Sequence, residues 1–145
     1  MFSPIRWIAV SFVFALALTG IVFAQELPTP DAPADAAVKF LEPADGAKVK
    51  SPVTLRFEAT GIKTEPAGAV AAGSGHHHVI VDASAPRKGR PIPADAQNLH
   101  FGKAQTEATI ELVPGKHQLT LQFADGLHRS YGPQLSASIN IEVVP

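Results

Sequence analysis

The chain has 145 residues, 46% of them hydrophobic, no cysteine and a formal net charge of −1. That length suits one globular domain, and the apolar share is ample for a packed core. The near-neutral balance, with Arg87, Lys88 and Arg90 as the main basic cluster, excludes a nucleic-acid binder, which needs a strong basic field to compete for phosphates. These three residues read as a solvated hairpin tip.

Residues 1–6 are short and carry one positive charge, residues 7–23 are almost wholly apolar, and Val22 and Ala24 occupy the small-residue positions of a cleavage site. This predicts a signal peptide over 1–24, cleaved after Ala24, that delivers the mature chain to the periplasm with no stable membrane insertion. The competing expectation is an uncleaved anchor, because an apolar run of this length can just span a bilayer. With no cysteine after the run, a lipoprotein anchor is excluded. Loss of the leader removes Arg6 alone and leaves 11 basic and 13 acidic residues.

Residues 25–37 hold three prolines and little apolar bulk, the composition of a flexible tether. Order is expected from Val38, with a strand, a turn at Ala44-Asp45-Gly46, and a second strand in which Val53, Leu55 and Phe57 alternate with Thr54, Arg56 and Glu58. Residues 61–75 read as a loop, 76–83 as a third strand and 84–105 as an irregular stretch containing Pro86, Pro91 and Pro93. Strands are expected over 108–113, 117–124 and 136–144, the first two joined as a hairpin by Pro114-Gly115. No segment after the leader has helical periodicity. About seven short strands with turn residues between them predict a single all-β domain over 38–145, an antiparallel β-sandwich of the immunoglobulin or fibronectin type.

The chemistry rests on six histidines. On a strand, residues i and i+2 share a face about 7 Å apart, close enough for two imidazoles to hold one ion. His76 and His78 form such a pair, with Asp82 expected on the same outward face and His77 at the core edge. His117 is expected at the rim of the face made by Leu119, Leu121 and Phe123. His100 and His128 fall in loops beside strand ends. Neutral imidazole suits copper(II), zinc and nickel. Asp82, Glu107 and Asp125 are candidates to ligate or to orient a ring through its second nitrogen. His76, His78, His100 and His128 are the first candidate ligands, and His77 and His117 the next. Ser74, Ser84 and Thr106 stand near histidines, yet no nucleophile elbow accompanies them, so catalysis is not expected.

The segments GHHHVIVD, IPADAQNLHFGKAQTEATIEL and PGKHQLTLQFAD followed by Leu127-His128 resemble a bacterial exported domain family of unknown function. Its members share a GHHH-hydrophobic-Asp strand, an HFG-x-G-QTE segment and a PGKH strand. The resemblance spans residues 38–144, and the chain departs from it at Ala104, where the family tends to have glycine. The substitution matters if the backbone there needs positive φ. The expected function is periplasmic binding of copper(II) or zinc for storage, delivery or sensing. The alternative is a non-catalytic interaction module, meeting a periplasmic protein partner through loops 61–75 and 84–105, with its histidines in a hydrogen-bond network.

Overall fold

Nine strands and one short 3-10 helix form the regular structure of residues 31–145, the part of the chain that the computed structural model describes. The expected signal peptide, its cleavage site and residues 25–30 of the tether lie outside these described residues. The strands are β1 (Ala37–Glu42), β2 (Lys48–Lys50), β3 (Val53–Thr60), β4 (Lys63–Thr64), β5 (Ser74–Val81), β6 (Asn98–Phe101), β7 (Glu107–Ile110), β8 (Gly115–Ala124) and β9 (Ser136–Val144). Seven of them have four residues or more.

Alternation decides which side chains meet. Val53, Leu55 and Phe57 of β3 point inward against Leu119, Leu121 and Phe123 of β8 and Ile139, Ile141 and Val143 of β9, and all are buried in one core. Each such side chain removed from water contributes about 1.5–3 kcal/mol, and with no cysteine in the chain this burial takes the place of disulfide stabilisation. One sheet has the order β1-β3-β7; the other has β2-β9-β8-β5-β4, with β6 also on β5. Immunoglobulin-type sandwiches divide their strands in this manner, A, B and E facing G, F, C and C′. The pairing is antiparallel except for two short parallel contacts, β2 with β9 and β4 with β5.

Four expectations need correction. Pro114-Gly115 does not close a hairpin: β7 pairs β3 while β8 pairs β5 and β9, so the turn carries the chain from one sheet to the other. The stretch 84–105 contains strand β6, paired antiparallel to β5. Arg87, Lys88 and Arg90 lie not on a hairpin tip but on a segment running beside residues 128–131, with Gly89 N–H donating to the Ser130 carbonyl and Ser130 N–H to that of Arg90. Residues 31–37 are held: Ala36 is buried in the core, its N–H donates to the Pro33 carbonyl, and Gln134 donates to the same oxygen.

Ala104 has φ 61°, in the left-handed region where a Cβ is strained. Glycine would suit this backbone, and the alanine is tolerated at a cost. Ala104→Gly is expected to stabilise the domain by roughly 0.5–1 kcal/mol, the relief of strain exceeding the entropy of the freer unfolded chain. A urea titration checks this, and an unchanged or lowered midpoint would count against it.

Candidate metal centre

Register gathers four histidines at one end of β5. His76 and His78 project from the same face of the strand. His78 lies directly across from His100 of β6, and His76 lies across from Ala124, the last residue of β8. The chain then turns through Asp125-Gly126-Leu127, with the Asp125 carbonyl accepting the His128 N–H, and this brings His128 over His76. The face opposite the core is covered here, so His76 and His78 are buried rather than outward-exposed; His100 is exposed and His128 half-buried.

All six pairs of these rings are in contact, with centroids 4.7 to 5.8 Å apart. His76 Nε2 is 3.0 Å from His78 Nε2, and His128 Nε2 is 3.2 Å from His100 Nε2. Ligand nitrogens of His76, His100 and His128 all lie within 4.8 Å of one another. Two nitrogens bound to one tetrahedral zinc at 2.0–2.1 Å stand about 3.3 Å apart, so the two close pairs already have the spacing of a shared ion.

The supports of the exposed pair are local. His100 folds back over Gly102: a Cβ at position 102 would overlap both Cε1 and Nε2 of the ring. The glycine of the HFG motif therefore makes room for the imidazole. Gly102→Ala is expected to push the ring aside and weaken metal binding on the order of 10-fold, the loss typical of disturbed ligand orientation, with the fold intact. Competition with a chromophoric chelator measures this; wild-type affinity in the variant would remove His100 from the site.

His128 has φ 65°, a strained conformation for a residue with a side chain. The buried Asp125 imposes it. One carboxylate oxygen accepts the N–H groups of Leu127 at 2.9 Å and Arg129 at 3.0 Å, the residues on either side of His128. The other accepts the Arg129 guanidinium, Nε at 2.8 Å and Nη2 at 2.7 Å. Asp125 is thus a positioning residue whose charge is balanced by Arg129. A Cβ on Gly126 would strike the Ala69 carbonyl, and Gly68 N–H donates to the Gly126 carbonyl, so loop 65–73 clamps the same turn.

His76, His78 and His100 are pushed towards the neutral imidazole, the form that binds metals. Burial, then the neighbouring His128 and His100, lowers the His76 pKa to about 4. Burial and the surrounding histidines push His78 to about 2, and burial with His128 lowers His100. The Nδ1 atoms of His76 and His78 have no hydrogen-bond partner among the described residues.

The remaining candidates go elsewhere. His77 points through the sheet into the core, 4.8 Å from the Phe57 ring and 4.9 Å from that of Phe123, with both nitrogens unpartnered among the described residues. Strand alternation aims it away from its two neighbours. His117 sits at the other end of β5: Val81, five residues from His76 and so ~17 Å along the strand, pairs Leu119. Its Nδ1 donates to Asp82 at 2.7 Å and its Nε2 to the Val113 carbonyl at 2.8 Å. Two acceptors require two donors, an arrangement that favours the imidazolium, and the Val113 bond and then Asp82 raise its pKa. Asp82, at φ 53°, ends the strand's alternation and serves His117 instead of the cluster. Glu107 is on the opposite sheet, paired with Arg56 at 2.9 Å. Sequence reasoning missed Gly102 and Arg129; the glycine after a histidine in HFG was the available signal for the first.

The family model described as Domain of unknown function (DUF4399) matches residues 55–144, which take in all six histidines and both strands of the cluster. The match starts inside β3, whereas the resemblance carried by the sequence motifs begins at residue 38. No curated protein and no solved structure matches the chain.

Proposed function

We propose that this chain, which belongs to the DUF4399 family of domains of unknown function, is a periplasmic protein that binds a divalent transition metal, copper(II) or zinc, through His76, His78, His100 and His128. The observation that carries the reading is the convergence of four mutually touching imidazoles, two of them buried, with close Nε2 pairs at 3.0 and 3.2 Å. Without an ion the close Nε2 atoms pair only with each other. A structural network would look like His117, whose two nitrogens each meet an acceptor. An all-imidazole donor set favours copper(II) and zinc over hard cations, which take oxygen ligands.

With His78 joining the trio His76, His100 and His128, a tetrahedral ion has all four positions filled by protein, the pattern of a holding site and not of a hydrolytic one, and His78, outside the trio, is the ligand that can yield. Storage, delivery or sensing follows, with exposed His100 as the point where an ion enters or leaves. Dialysis of the untagged chain against copper(II) or zinc near neutral pH, followed by metal analysis, is expected to give one ion per chain for at least one of them. A folded protein retaining neither would favour the interaction module.

A further inference from the structure

Beside the histidine cluster lies a cleft of about 260 Å³ lined by His78, His100, His128, Ile92, Ala94 and Leu127, with Pro91 and Pro93 completing its wall. Apart from the imidazoles every lining side chain is apolar, and none is acidic. The wall is built in: Ile92 N–H donates to the His128 carbonyl at 2.9 Å, Pro91 bridges Arg129, and the Ser130 hydroxyl donates to the Pro86 carbonyl. Ile92 is buried as the anchor of this segment, while Leu127 is 46% exposed at the mouth.

This architecture does more than hold an ion. A divalent cation bound by neutral imidazoles keeps its full double charge, and the cleft beside it supplies no carboxylate to balance that charge. Apolar walls next to an uncompensated cation suit a ligand with an anionic donor at one end and an apolar body at the other. An apolar cavity of about 150 Å³ is enough for benzene, so this cleft has room for one ring and its substituent. The trio His76, His100 and His128 leaves a coordination position that either His78 or an incoming donor can take. Resting on the metal reading, we propose that the loaded protein binds small apolar monocarboxylates in this cleft, the carboxylate on the metal and the hydrocarbon against Ile92, Ala94 and Leu127.

Cobalt(II) is the probe metal, because its visible spectrum reports its ligands, and benzoate and acetate are the paired test ligands. In the cobalt-loaded full chain, benzoate is expected to change the spectrum with an affinity at least about 10-fold above that of acetate, or about 1.4 kcal/mol. Ala94→Trp, which fills the cleft from an exposed position, is expected to abolish that preference while cobalt stays bound; Leu127→Ser is expected to reduce it. Cobalt binding with equal, weak responses to benzoate and acetate would overturn the cleft proposal and leave the metal site standing. Failure of the folded chain to take up cobalt, zinc or copper(II) would overturn both.

Discussion

Replacing His76 and His78 together by alanine is expected to lower metal affinity by on the order of 1,000-fold or more while the sandwich still forms. The binding free energy of a four-ligand structural zinc is about 10–16 kcal/mol, so loss of two ligands removes several kcal/mol of it. Folding should survive because neither ring contributes to the apolar core: both project from the face opposite Phe57, Leu121 and Phe123. The cavities left behind cost stability, but burial of two polar rings with unpartnered Nδ1 atoms is also relieved. Circular dichroism with isothermal titration of zinc or copper(II) separates the two effects. Wild-type affinity in a folded double variant would take the ion away from β5. The matched control is His117→Gln, which disturbs only the contacts to Asp82 and Val113 and is expected to leave metal affinity unchanged.

The metal-free domain is expected to lose stability steeply as pH falls from about 6.5 towards 4. In the unfolded chain histidine takes a proton near pH 6.5, whereas burial lowers His76 and His77 to about 4 and His78 to about 2 in the fold. Within that window the unfolded state binds more protons, so stability rises with pH and is lost on acidification. The shifts of His76 and His77 correspond to on the order of 3 kcal/mol each, a large part of the 5–15 kcal/mol that stabilises a typical domain. His117 runs the other way: its raised pKa gives stability that is present in acid and fades as pH rises through the folded-state value. Urea midpoints at pH 7.5, 6 and 5 test the account, with and without zinc. The midpoint should fall with pH, and His76→Ala with His78→Ala should flatten the slope. A midpoint independent of pH would contradict the neutral, buried cluster.

Much of the fold was legible in the residues. Strands β3 and β9 alternate because one face of each is buried, β8 alternates apolar with polar residues over 119–123 although both its faces are buried there, and the i, i+2 spacing of His76 and His78 gave their common face directly. Strand β6 was not legible: it has four residues, follows a proline-rich segment and is defined by its pairing to β5. That pairing is what turns His100 from a loop residue into the cross-strand neighbour of His78. A turn such as Pro114-Gly115 reverses the chain in either case, and local sequence does not say whether the flanking strands pair or join different sheets. Asp82 was placed by extending the alternation one residue past the strand's end, where a positive φ redirects the side chain. The burial of His76 and His78 depends on cover from segments distant in sequence, with Ile92 and the Asp125–His128 turn brought together by backbone hydrogen bonds.

X-ray absorption at the metal edge of the zinc- or copper(II)-loaded chain reads the ligands of the bound ion directly. A shell of nitrogen ligands near 2.0–2.1 Å is expected, with the outer scattering of at least three, and with His78 four, imidazoles. A shell dominated by oxygen, or one with two imidazoles or fewer, would contradict a metal held by His76, His78, His100 and His128.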